Sequence, residues 1–73
     1  MYNANVVFKK GNSAKYEDVQ SIKVTTKPAG LVYQGDSLLD GSYPSAEDIV
    51  ITYPQGVVVI AKNTFESLTI SRV

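Results

Sequence analysis

Hydrophobic and polar residues alternate along several short stretches of this chain. Val6 and Phe8 share one face of such a stretch, opposite Asn5 and Lys9, and residues 22–25 alternate in the same way. Alternation with this period is typical of a β-strand that buries one face. The pattern therefore predicts short strands and no long helix.

Two parts of the chain repeat one order of residue types. The segment Val6–Gly11 matches Ile51–Gly56 at an offset of 45 residues, and Asp18–Val24 matches Thr64–Ile70 at an offset of 46. This repetition predicts two strand–turn–strand–corner–strand units that close on each other. The units are expected at about residues 5–25 and 50–71. The extra residue of the second copy is expected to form a bulge in the strand after its glycine.

The turns and corners of the two copies share their chemistry. Phe8-Lys9-Lys10-Gly11 and Tyr53-Pro54-Gln55-Gly56 are typical of type I turns that end on a left-handed glycine. Each returning strand leads into a polar corner around one apolar residue, Val19 in the first copy and Phe65 in the second. Further residues expected to face inward are Ala14, Tyr16, Leu68 and Ile70.

These elements predict an all-β fold, a small barrel or two-sheet sandwich of five to seven short antiparallel strands in a single domain, 1–73. Between the two copies we expect a turn at 27–30 and a short strand at 31–33. Residues 34–48 are expected to form a long central loop or lid. A single helical turn is expected at 45–48, with no helix elsewhere.

Composition removes most catalytic chemistry. The 73 residues include no cysteine and no histidine, which excludes disulfides, zinc-finger patterns and the usual general base. Four acidic residues occur in or beside the central loop, but without the spacing of a calcium-binding loop. They are Asp36, Asp40, Glu47 and Asp48. We expect a non-enzymatic protein that uses no cofactor and no metal.

Charge and hydropathy limit the partners. Seven basic and seven acidic residues cancel, which weighs against a dedicated nucleic-acid binder. Five lysines face two acids in residues 1–27, a net charge of +3, and the remainder carries −3. The longest apolar run, Val57–Ala61, has five residues, far too few to cross a membrane. We expect no signal peptide and a cytoplasmic location.

The central loop contains large apolar side chains next to its acids. Tyr33, Leu38, Leu39 and Tyr43 either fold back as a lid over the core or form a contact surface for a protein partner. We take them as the candidate partner interface.

The segment Val57-Val58-Val59-Ile60 is apolar on both faces, unlike the other predicted strands. Either the loop 34–48 covers its outer face, or a second subunit does. Val57, Val58, Val59 and Ile60 are therefore the candidate residues for self-association, and a homo-oligomer is favoured.

An alternative function uses the basic N-terminal hairpin. Small β-barrels of the Sm-like or cold-shock-like kind bind single-stranded nucleic acid through lysine and aromatic side chains. The candidate residues here are Tyr2, Lys9, Lys10, Lys15 and Tyr16. A solvated hairpin whose lysines discourage edge pairing explains the same residues without a ligand. The leading expectation remains an interaction module that binds a protein partner or itself.

Overall fold

The computed structural model describes residues 1–25 and 30–73 of the chain. In this part of the chain, seven strands and one short 3₁₀ helix follow one another. They are β1 (Tyr2–Phe8), β2 (Ser13–Tyr16), β3 (Ser21–Val24), β4 (Leu31–Gln34), the 3₁₀ helix (Gly35–Leu39), β5 (Ile49–Tyr53), β6 (Gly56–Ile60) and β7 (Phe65–Arg72). The predicted all-β fold is confirmed. Most of the turn predicted at 27–30, residues 27–29, lies outside the described residues.

The strands of the described chain form two antiparallel sheets. One has the order β2-β1-β7 and the other the order β4-β3-β5-β6. Each predicted unit contributes a hairpin to one sheet and its third strand to the other. Thus β3 pairs with β5 and β7 pairs with β1, so the two units close on each other as predicted.

Strands β3 and β7, which each unit contributes to the sheet of the other unit's hairpin, pair in equivalent registers. The β3–β5 ladder runs from Ser21 opposite Thr52 to Val24 opposite Ile49. The β7–β1 ladder contains the same steps at the offsets read from the sequence, with Ser67 opposite Val7 and Ile70 opposite Ala4. The repeat is therefore a property of the backbone pairing as well as of residue type.

The first hairpin turn has the geometry predicted for it. The N–H of Gly11 donates to the carbonyl oxygen of Phe8 at 3.0 Å, and the N–H of Phe8 donates to the carbonyl of Asn12 at 2.8 Å. Gly11 has φ +98° and Gly56, in the second turn, has φ +135°. Both values lie in the region that glycine adopts without steric cost.

The position of the extra residue was predicted wrongly. The β5–β6 register runs without a shift from Tyr53 opposite Gly56, so the strand after that glycine contains no bulge. The irregularity lies in β7 instead, opposite the step from Val7 to Phe8. Phe65 and Leu68 are both buried although three positions separate them, and a regular strand would point them to opposite faces. The bulge lets both side chains enter the core.

Copy lengths also differ at two other places. Val7 pairs with Ser13 in the first hairpin, whereas the equivalent Thr52 pairs with Val57, so the first turn is one residue longer. From Ile60 to Ser67, the residue equivalent to Ser21, the second copy has two more residues than the first copy has from Tyr16 to Ser21, and the β7 bulge accounts for one of them. The connection before β7 lies beside the first turn, where the N–H of Lys9 donates to the carbonyl of Thr64.

The core lies between the two sheets and is almost entirely apolar. Its members come from both units, the corner residue Val19 and the 3₁₀ helix. They are Ala4, Val6, Val19, Ile22, Val24, Leu38, Ile49, Ile51, Ile60, Phe65 and Leu68. The corner residues Val19 and Phe65 are buried as the pattern predicted.

The predicted helical turn at 45–48 is not present. Residues 45 and 46 form a turn, and the described helical segment is the 3₁₀ helix ten residues earlier. Reciprocal hydrogen bonds start that helix: the N–H of Gln34 donates to Oγ of Ser37 at 2.8 Å, and the Ser37 hydroxyl donates to the Gln34 carbonyl at 2.5 Å. Such local serine bonds stabilise helix starts but have no hydrophobic period that sequence reading detects.

Replacing Gly11 with alanine should destabilise the fold by about 1 kcal/mol, because alanine strains at φ +98°. A methyl group there meets no atom within 4 Å, so the cost comes from the backbone alone. Urea denaturation measures it, with Lys10→Ala as the control in the same turn. Equal stability of the two variants would contradict this account of the turn.

Candidate interaction surfaces

The central segment covers the core through one leucine. The 3₁₀ helix contacts β3 and β4 of one sheet and β7 of the other. Leu38 is fully buried between them, whereas Leu39 is 46% exposed. Leu38 therefore belongs to the core, and its predicted contact with a partner is wrong because no surface of it remains.

Two tyrosines support this cover. The Tyr43 hydroxyl donates to the carbonyl oxygen of Leu38 at 2.8 Å, and the Tyr43 ring meets Tyr33 edge-on with centroids 5.4 Å apart. Burial, followed by the neighbouring Tyr33, raises the pKa of Tyr43 to about 12. Tyr33, Leu39 and Tyr43 stay a predicted partner interface, but both rings are half-buried in this packing.

A further hydrogen bond fastens the 3₁₀ helix to the other sheet. The hydroxyl of Tyr2, at the start of β1, donates to the carboxylate of Asp36. That bond raises the pKa of Tyr2 above its usual 10.0. Tyr2 thus has a structural partner, which the sequence pattern did not indicate because 34 residues separate the two side chains.

The apolar outer face of β6 is open. Val57 is 64% exposed and Val59 is 61% exposed, whereas Ile60 is buried in the core. The 3₁₀ helix of the central segment contacts β3, β4 and β7, and the exposure of Val57 and Val59 rules out the alternative in which the loop 34–48 covers the outer face of β6. Ile60 is also removed from the candidate self-association surface, since its side chain points into the core.

Strand β6 is an edge of its sheet. Among the described strands it is paired with β5 alone. Alternate residues of an edge strand direct their N–H and C=O groups away from the sheet, where another strand can pair with them. The exposed valines therefore lie beside backbone N–H and C=O groups that another strand can pair with.

The candidate nucleic-acid residues do not converge. Tyr2 and Lys9 lie at opposite ends of β1, about 20 Å apart along the strand. Lys15 pairs with Asn5 on the polar outer face of its sheet, and Tyr16 packs edge-on against Tyr53 with centroids 5.2 Å apart. Lys9 and Lys10 alone share a site, a cleft beside the first turn.

Comparison with known proteins gives no match: no protein-family model, curated sequence or solved structure resembles this chain significantly. Within residues 1–25 and 30–73, no helix has the length and apolar character to cross a membrane.

Replacing Leu38 with alanine should destabilise the protein by about 2–5 kcal/mol, because the change leaves a cavity in the core. Leu39→Ala is the matched control and should change stability by less than about 0.5 kcal/mol, since that side chain is largely exposed. Chemical denaturation of both variants measures the difference. Similar effects at the two positions would show that the 3₁₀ helix does not close the core.

Tyr43 should make the protein less stable at high pH. The folded state keeps the Tyr43 proton up to about pH 12, whereas an unfolded tyrosine releases it near its usual 10.0. Unfolding therefore releases a proton between these values, and stability falls as the pH rises through them. Tyr43→Phe should show a shallower fall in urea denaturation over this range.

The same variant loses the hydrogen bond to Leu38 and should be about 1 kcal/mol less stable near neutral pH. Tyr2 and Tyr16, whose pKa values are also raised, contribute equally to both proteins. A fall in stability identical to that of the wild type would contradict the role assigned to Tyr43.

Proposed function

We propose that this protein is a non-enzymatic, cytoplasmic interaction module that associates with a second copy of itself through β6. The observation that supports the proposal most strongly is the pair of exposed valines on an uncharged strand whose outer edge is unpaired among the described strands. Val57 and Val59 lie there with more than half of their surfaces open to solvent.

The internal repeat supplies a comparison within the same fold. Strand β2 occupies the position in the first unit that β6 occupies in the second. The residues of β2 equivalent to Val57 and Val59 are Ser13 and Lys15, and both are exposed. Because the fold accepts polar residues at these positions, the valines of β6 need a different explanation.

Two of the other three edges carry charged residues. Lys15 lies on β2, and Glu66 and Arg72 lie on β7, which discourages pairing with another chain. The short strand β4 leads directly into the 3₁₀ helix, which packs against it. Strand β6, with the sequence GVVVI, has five residues and no charge or proline.

The β6 sequence is also complementary to itself. Antiparallel pairing of two β6 strands about a two-fold axis at Val58 places Val57 of each copy opposite Val59 of the other. Such a contact is isologous, because the same pair of residues meets twice across the two-fold axis. The assembly is therefore closed at two copies. The four valines then form one apolar cluster across the joined edges.

The expected dimer is weak. A standard interface buries about 800 Å² per partner, roughly one sixth of the 4523 Å² surface of this chain, and a five-residue edge covers less. The burial of four valines and the backbone hydrogen bonds between the two edges favour association, and the lost freedom of the two molecules opposes it. We expect a dissociation constant on the order of 10–100 µM.

Grafting the first unit's residues onto β6 tests this proposal. V57S/V59K should remain folded, as β2 is, and should sediment as a monomer from about 10 µM to about 1 mM, a range in which the wild type forms dimers. Val32→Lys is the matched control: Val32 is 54% exposed on the same face, about 14 Å away across the sheet. A wild type that stays monomeric throughout would overturn the proposal.

Two further variants test the antiparallel register. Val57→Glu and Val59→Lys, made as single variants, each keep one valine of the pair. In an equimolar mixture of the two, the antiparallel register places the introduced glutamate of one copy opposite the introduced lysine of the other and leaves the remaining two valines opposite each other. Cross-strand pairs of opposite charge stabilise by about 0.2–1 kcal/mol each. The mixture should therefore associate about tenfold more tightly than either variant alone. Equal association would exclude this register.

A further inference from the structure

A cleft of about 340 Å³ opens beside the first hairpin turn. It lies between that turn and the connection from β6 to β7, on residues that the proposed dimer does not use. Its lining surface is mostly apolar and comes from one aromatic residue, two lysines, two asparagines and a threonine: Phe8, Lys9, Lys10, Asn12, Asn63 and Thr64. The volume is within the range of small-molecule sites.

Backbone hydrogen bonds hold the two walls of the cleft together. The N–H of Lys9 donates to the carbonyl oxygen of Thr64 at 3.1 Å and joins one wall to the other. Asn63 adopts φ +63°, and its N–H donates to the carbonyl of Ser45 at 2.6 Å. The Thr64 hydroxyl donates to the carbonyl of Ala61 at 2.6 Å. The cleft is therefore formed before any ligand arrives, which lowers the entropic cost of binding.

The repeat shows that the two equivalent aromatic residues differ in their neighbours. Tyr53 is equivalent to Phe8, and in that half of the molecule the Tyr16 ring packs edge-on against it. The residue equivalent to Tyr16 is Ile60, which has no ring and points into the core. The space beside Phe8 thus lacks the aromatic ring that its counterpart receives from within the chain.

The positive charge around the cleft indicates that the ligand carries an anionic group. Lys9 and Lys10 line the cleft, and Lys62 directly precedes Asn63 in its second wall. Glu66 follows Thr64 by two residues and faces outward on β7. Lysine ammonium groups at the rim of an aromatic site favour an anion such as a phosphate group.

We propose that this cleft binds a molecule that joins an aromatic ring to a phosphate group. The ring packs against Phe8, the phosphate contacts Lys9 and Lys10, and the amides of Asn12 and Asn63 bond polar atoms at the ring edge. This chemistry belongs to a nucleotide, either free or within a single-stranded nucleic acid.

Titration of the ¹⁵N-labelled protein with adenosine 5′-monophosphate tests the proposal. Saturable shifts should appear in the amide signals of residues 8–12 and 63–64, with a dissociation constant below about 1 mM. Adenosine and inorganic phosphate, each alone, should bind at least about fivefold more weakly, because each lacks one of the two contacts. No saturable shift, or shifts elsewhere on the protein, would overturn the proposal.

Variants separate the two contacts. K9Q/K10Q should weaken binding of the monophosphate about tenfold and remove its dependence on salt. Phe8→Leu should weaken it at least about fivefold while keeping that dependence. K15Q/K23Q removes the same two positive charges from exposed positions outside the cleft and should leave the affinity unchanged. Equal losses of affinity in K15Q/K23Q and K9Q/K10Q would mean that net charge alone causes the effect, and would contradict the site.

An oligonucleotide distinguishes the two sources of the ligand. A five-residue deoxyadenosine oligonucleotide that binds about tenfold more tightly than the monophosphate, with shifts centred on the same amides, would identify single-stranded nucleic acid as the ligand. Equal affinity would identify the free nucleotide. Oligonucleotide shifts confined to other residues would contradict binding in the cleft.

Discussion

The exchange of one strand between the two units is the constraint on which this fold depends. A chain of 73 residues without cysteine must close a core with its own side chains alone. Neither three-stranded unit does this, because each supplies a hairpin to one sheet and a single strand to the other. The β1–β7 and β3–β5 ladders join the sheets, and the buried residues of β3 and β7 fill the space between them. The core therefore forms only when both units are present.

The segment between the units closes the core where the sheets leave it open. Leu38 enters from a 3₁₀ helix that has no equivalent in either copy, and Tyr43 and Tyr2 hold that helix at its two sides. Tyr43 follows the five-residue helix closely in sequence, whereas Tyr2 precedes it by more than thirty residues, and both contacts add to stability without extending either sheet. The apolar character of the segment is thus explained by the core, with Leu39 as the exposed exception.

Much of the architecture could be predicted because strands and turns have local chemistry. Alternation marked the buried faces of Ile22 and Val24, and glycine marked both turns. The 3₁₀ helix was missed because its start depends on one serine hydroxyl. The bulge in β7 was misplaced because its cause, the joint burial of Phe65 and Leu68, lies in tertiary packing. The candidate surface of β6 followed from its composition, whereas the cleft needed Asn63 and Thr64 beside a turn more than fifty residues earlier.

The positions at which the two copies differ in residue type are informative, because these positions are equivalent in the fold. Polar residues on β2 and valines on β6 occupy equivalent positions, so folding accounts for neither choice. The Tyr16 ring packs edge-on against Tyr53, whereas the equivalent Phe8 lines a cleft next to two lysines. A requirement of folding acts on both halves of a repeat, but a binding surface is needed only once. The differences between the copies therefore motivate both proposals, and both proposed surfaces lie at such differences.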